Sequence, residues 1–342
     1  MLKTINRRWV IAASSAALLL LTACAEERAP AADGPRAAAS GSSEKSYTVG
    51  IAGANYAIEA ARAQYEALAA GLEERGIEVT FSDAKLDINT QVSQIDQFVS
   101  DEVDAIVVNV AGDPNALAGP LKRATDAGIK LFAIGAVPGV REILAEVDLP
   151  SEELGEKSGR YFCEKTGGTG QIAMIEAIDI PVLAARWESF LATIESQCPG
   201  LKVVATERAI PDDTATTRPI AENLLTRYPD LKGIWTMGDG PALGAGLAAK
   251  AAGRNDIIVT GLNAEKSGID GVKQGVVDAT WDMLPTDIGL KLAEKVADIL
   301  AGEVSPPSST DVSTVTDLPE WNKDNVAKYE PYDERVKYPG IQ

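Results

Sequence analysis

Apolar residues are spaced in two ways along this chain. Short continuous apolar runs, the mark of strands buried on both faces, alternate with longer stretches in which apolar residues return every three or four positions, the mark of amphipathic helices. The first strand is Tyr47 to Ala52, and the helix after it carries Ala57, Ala61, Tyr65, Leu68 and Leu72 on one face before Gly76 stops it. The alternation continues as strand 77–82, helix 88–100, strand 105–110, helix 115–127 and strand 130–134. A second series holds helices 152–165, 182–196, 217–227, 242–252 and 265–274 and strands 171–176, 202–206, 233–236, 257–260 and 277–281. Such alternation predicts parallel sheets with right-handed crossovers, and two series predict two doubly wound α/β lobes. In these sheets ligands sit beyond the C-terminal strand ends. Two lobes facing each other there make a cleft, and closure surrounds a small solute.

The N-terminus breaks this pattern. Lys3, Arg7 and Arg8 precede an apolar run from Trp9 to Leu21 that is short for a membrane span and ends in small residues, which predicts a signal peptide over residues 1–23. Leu21, Thr22, Ala23 and Cys24 resemble the lipobox of bacterial lipoproteins, implying that Cys24 is diacylated and becomes the mature N-terminus. The alternative is an ordinary secretory signal with a chance cysteine. Residues 24–46 are rich in Ala, Glu, Pro, Gly and Ser without an apolar period and read as a flexible tether. The protein is therefore expected to be periplasmic or otherwise extracytoplasmic, lipid-anchored to a bacterial membrane. Cys163 and Cys198 are the other two cysteines, and that compartment is oxidising. Each falls near the end of a predicted helix, and the two helices are sequential neighbours on one sheet, so a disulfide is expected. Two independent thiols stay open as the alternative, since sequence does not supply the geometry.

Composition then narrows the chemistry. The 342 residues are 45% hydrophobic and 24% charged, with a net charge of −18 that opposes binding to nucleic acid. Histidine is absent, which removes Ser-His-Asp and Cys-His nucleophile pairs and every histidine metal site. No catalytic constellation, metal cluster or cofactor motif stands out, so binding rather than catalysis is expected, with neither metal nor cofactor.

The order of elements now joins with local motifs: A-G-I-K-L-F-A-I-G ending at Gly135, N-L-L-T-R-Y-P-D-L-K-G-I-W over Asn223 to Trp235, G-D-G-P-A-L-G-A from Gly238 to Ala245, and L-P-T-D-I-G from Leu284 to Gly289. Together they resemble the ribose-type periplasmic sugar-binding proteins over nearly all of Tyr47 to Thr316. The resemblance implies the type I periplasmic binding protein fold and a monomer that delivers a sugar-like solute to an ABC permease in the inner membrane. The alternative is a ligand-sensing subunit of the same fold coupled to a membrane receptor or kinase. It further implies an N-terminal lobe of residues 47–149 plus 285–301 and a C-terminal lobe of 150–283 plus 305–316. The hinges fall near Leu149, Met283 and Val304. Residues 317–342 extend beyond the family core and are expected to wrap one lobe.

By the same resemblance Tyr56, Asn109 and Arg186 fall where the family places ligand contacts. Arg186 forks onto a ring oxygen and hydroxyl or holds a carboxylate, or else pairs with a neighbour such as Glu188 on a helix surface. Asp239, Asn263 and Asp282 follow strand ends and offer hydroxyl acceptors, although Asp239 and Asn263 also suit helix starts. Trp281 offers a stacking face, or else belongs to the core. Gly135, Ala136, Gly238 and Asn263 replace residues the family uses on hydroxyls, which favours a polyol or modified sugar over a simple aldose. Asp212, Asp213, Asp239 and Asp282 add negative potential that favours an amine-bearing solute.

Overall fold

The apolar runs assemble into two six-stranded sheets in the computed structural model, which describes residues 46–176 and 183–340. The predicted signal peptide, Cys24 and nearly all of the tether lie outside the described residues. The first sheet holds β1 (Thr48–Gly53), β2 (Glu78–Asp83), β3 (Ala105–Val108), β4 (Lys130–Ile134), β5 (Ile143–Asp148) and β11 (Asp311–Thr314), in the order β11-β5-β4-β3-β1-β2, every pair parallel. Its helices are α1 (Glu59–Glu73), α2 (Ile88–Ser100), α3 (Ala118–Asp126) and α9 (Pro285–Ala301). All four residues of β3 are fully buried. That is why the strand reads as an unbroken apolar run, each large side chain contributing about 1.5–3 kcal/mol by leaving water.

The second sheet holds β6 (Thr169–Glu176), β7 (Gly200–Arg208), β8 (Leu231–Thr236), β9 (Ile258–Thr260), β10 (Ala279–Trp281) and β12 (Glu320–Asn322), in the order β12-β10-β9-β8-β6-β7. Only β12 runs antiparallel, along the edge of β10. Helices α4 (Ser151–Thr166), α5 (Ala184–Gln197), α6 (Thr214–Arg227), α7 (Asp239–Ala251) and α8 (Lys266–Lys273) belong to this lobe. Gly155 sets the spacing of α4 and α5: a Cβ there would lie 2.1 Å from the Arg186 carbonyl oxygen. The bare glycine thus fixes the turn of α5 that carries Arg186. Near the far ends of the same two helices Cys163 and Cys198 form a disulfide, with Cα atoms 5.6 Å apart.

The chain crosses between lobes at Leu149–Pro150, at Asp282–Leu284, and a third time between β11 and β12. The third crossing corrects the expectation. β11 pairs with β5 in the N-terminal sheet, Asp311 opposite Ala145 through Thr314 opposite Asp148, so residues 311–314 complete the N-terminal lobe instead of the C-terminal one. The crossing therefore lies past residue 314, not near Val304. The extension also does more than wrap one lobe. After β12 joins the C-terminal sheet, it runs through a short helix, α10 (Tyr332–Arg335), and Tyr338 reaches Glu73 of α1 in the other lobe, 2.6 Å from its Oε1.

Candidate functional site

The C-terminal ends of both sheets and the starts of the following helices meet between the lobes. Helix N-termini carry unpaired N–H groups and partial positive charge, and two of them are satisfied across the junction. Glu265, just before α8, accepts from the Ala60 N–H of α1 at 3.1 Å, while Glu59 accepts from the Lys266 N–H at 3.0 Å. Each lobe thus lends a carboxylate to the other's helix. Nothing in the sequence marks the pair, because the partners stand over 200 residues apart.

On the N-terminal side Asn109 follows β3, but its amide already works inside the lobe. Oδ1 accepts from the Tyr65 hydroxyl at 2.6 Å and Nδ2 donates to the Ile134 carbonyl at 2.8 Å. Gln91 from α2 donates to the carbonyls of Ala52 and Asn109 and accepts from the Ala111 N–H, tying the ends of β1 and β3 together. Tyr56 stands half-buried, its hydroxyl donating to Glu66 and its ring 5.3 Å from that of Phe81.

On the C-terminal side Arg186 is 3% exposed, donating through Nη1 to the Met237 carbonyl at 3.2 Å. The surface reading with Glu188 is thereby excluded. Its Nε finds no hydrogen-bond partner among the described residues, and neither does the buried Oδ1 of Asn263. Burial lowers the guanidinium pKa to about 10, against the opposing pull of Glu265, Asp212 and Asp239. Burial likewise raises Glu265 to about 7, partly offset by the Ala60 N–H and Arg186. Asp212 keeps solvent access, yet the protein around it pushes its carboxyl up to about 6. Asp213 beside it is the N-cap of α6, accepting from the Thr216 N–H at 2.7 Å.

The remaining predicted residues are engaged within the protein. Asp239 is the first residue of α7, with Gly238 at the N-cap, and caps a different helix start. Its Oδ2 accepts from the Glu265 N–H and its Oδ1 from the Thr280 hydroxyl, both at 2.7 Å. Gly261 and Gly268 make room for it, since a Cβ at either would come within about 2 Å of its Oδ1. Trp281 is buried with its ring edge-to-face on Tyr161 of α4, the core reading rather than the stacking one. Asp282 accepts from the Leu284 N–H through Oδ1 and pairs through Oδ2 with Arg335 of α10, 2.5 Å away. Arg335 lies over the rings of Tyr329 and Tyr332, whose hydroxyls donate to the carbonyls of Ala264 and Asn263. The extension thus occupies one face of the segment where Asn263 and Asp282 lie side by side.

Comparison with known proteins identifies the fold. The ribose import binding protein of Bacillus subtilis is 28% identical over 68% of this chain and 74% of its own length. The xylitol-binding protein of Mycolicibacterium smegmatis is 26% identical over 73% of this chain and 70% of its own. An ABC transporter solute binding protein from Bacillus halodurans, solved with bound myo-inositol, superposes with a TM-score of 0.71 at 25% identity, covering 83% of this chain and 97% of that one. The ribose import protein and the myo-inositol neighbour are solute-binding components of transporters and not enzymes, and the two α/β lobes of this chain are those of the type I periplasmic binding proteins. The profile of the periplasmic binding protein domain matches residues 49–303, and the chain belongs to that family.

Proposed function

We propose that the protein is the solute-binding component of an ABC importer, capturing a polyol or modified sugar between its lobes and delivering it to the permease, while a lipid on Cys24 holds it at the membrane. One observation carries the reading: Arg186 Nε and Asn263 Oδ1 are a buried donor and a buried acceptor without partners among the described residues. Buried polar groups are nearly always hydrogen-bonded, and a hydroxylated solute supplies both an acceptor and a donor. The Glu265–Ala60 and Glu59–Lys266 bonds fit a closed arrangement in which such a solute is surrounded. Relatives that bind ribose and xylitol, and a neighbour that holds myo-inositol, support the chemical class. Gly135, Ala136 and Gly238 favour its polyol and cyclitol members.

The test is a thermal-shift and calorimetric series with ribose, xylitol, sorbitol and myo-inositol. A ligand at a hundred times its Kd stabilises the folded state by about 2.7 kcal/mol. A saturable rise with a polyol or cyclitol is expected, lost in Arg186→Ala; no rise with any of the series, or full affinity in the variant, refutes the reading. For the anchor, Cys24→Ser should leave the detergent phase for the aqueous phase, and retention there would dismiss lipidation.

A further inference from the structure

The carboxylates around Arg186 outnumber what the protein itself neutralises. Asp282 is matched by Arg335, and Asp239 is held by a hydroxyl and a backbone N–H. Glu59 borders an outer groove that it shares with Arg62 and Lys266. Asp212 and Glu265 remain. Asp212 accepts no hydrogen bond among the described residues, and Glu265 has the Ala60 N–H alone. Arg186, 97% buried, is the guanidinium that both sense, yet it bonds to the Met237 carbonyl and leaves Nε without a partner among the described residues.

Gly238 explains how Asp212 comes to be there. A Cβ at residue 238 would lie 3.2 Å from Asp212 Oδ2, so a longer side chain there would contend with the carboxylate for the same space. The loop before α6 thus places a carboxylate at the end of β8. An amide serves hydroxyls as donor and acceptor; a carboxylate only accepts and brings charge.

We propose that the solute carries an ammonium group beside its hydroxyls, the ammonium seated by Asp212 and Glu265 and a hydroxyl oxygen accepting from Arg186 Nε. The proposal rests on the solute-binding function above and names the ligand class for that site. Burial costs the charged form of Glu265, whose carboxyl sits above its ordinary range, and a bound cation relieves that cost, while the exposed Asp212 supplies a second negative charge.

Matched pairs decide it: sorbitol against glucamine, glucose against glucosamine, and myo-inositol against a monoamino-inositol, each titrated calorimetrically at pH 7.5 into the full protein. The amine of at least one pair should bind more than tenfold tighter than its neutral partner. Asp212→Asn should bring that ratio close to one while retaining the neutral partner, and Glu265→Gln, which keeps an oxygen for the Ala60 N–H, should lower it as well. Neutral members binding as tightly as the amines, or an unchanged ratio in both variants, overturns the inference and leaves the solute-binding function standing. Failure of every member to bind removes both.

Discussion

Closure of the lobes should take up protons, and Glu265 should be the main site of uptake. With the lobes in contact its carboxyl is raised to about 7 from an ordinary 4.5, mainly by burial, with Glu59 of α1 and Asp212 adding to the rise and the Ala60 N–H and Arg186 opposing it. Once the lobes part, the side chain returns to water and its ordinary value. A carboxyl raised in one state binds more protons there, so the penalty on the closed arrangement is complete above pH 7 and vanishes below pH 4.5. The full shift is worth about 3 kcal/mol at one pKa unit per 1.36 kcal/mol. Between pH 7.5 and pH 6 the expected gain is about 1 kcal/mol, or roughly a tenfold rise in the closed-to-open ratio without solute. Energy transfer between dyes at the exposed positions Asp101 and Lys202, with small-angle scattering as a second measure of lobe separation, reads that ratio directly. Glu265→Gln should be more closed at pH 7.5 and lose most of the dependence between pH 7.5 and pH 6. Lobe separation that is constant from pH 5.5 to 8 in the native protein, or an undiminished dependence in Glu265→Gln, would refute the reasoning.

Two further predictions concern stability. Arg335→Ala strands the carboxylate of Asp282, which is 1% exposed, and removing one partner of a buried pair costs about 3–5 kcal/mol, less here because the Leu284 N–H still serves Oδ1. Differential scanning calorimetry should show a Tm several degrees lower, with partial recovery when Asp282→Asn is added; an unchanged Tm would mean that the extension does not secure this hinge. Cys163→Ser/Cys198→Ser opens a 35-residue loop whose closure is worth about 4 kcal/mol in the chain-entropy description, so the urea midpoint of the C-terminal lobe should fall. A midpoint equal to the native one would show that packing of α4 on α5 alone holds that face.

How far the fold could be read from sequence depended on burial. Strands such as β3, buried on both faces, were legible because every position had to be apolar. β5, Ile143-Leu-Ala-Glu-Val-Asp148, carries two acids and shows no unbroken apolar run, and β11, Asp311-Val-Ser-Thr314, is an edge strand exposed along most of its length with Val312 as its one apolar residue. Its lobe depends on which edge it pairs with, a long-range property that no local pattern encodes. The site divides similarly. Arg186 is expected among the ligand contacts from the family resemblance alone, not from any local pattern. Asn109 and Asp282 looked equally available, but their partners are a tyrosine 44 residues away and an arginine 53 residues away. The Glu59 and Glu265 caps could not be seen until two helix starts were brought face to face.

The threading of the chain also bears on the order in which the lobes can fold. During synthesis from the N-terminus, residues 47–149 emerge first but lack α9, whose Ile288, Leu292 and Val296 are fully buried in the finished protein, and lack β11 at the sheet edge. The C-terminal lobe is laid down in between and then waits for β12 to cover β10. Neither lobe has its full set of strands until more than nine-tenths of the chain has been made. A nascent chain of this topology therefore stays incompletely folded for most of its synthesis, the condition that a protein must meet to be threaded through a membrane channel before it folds.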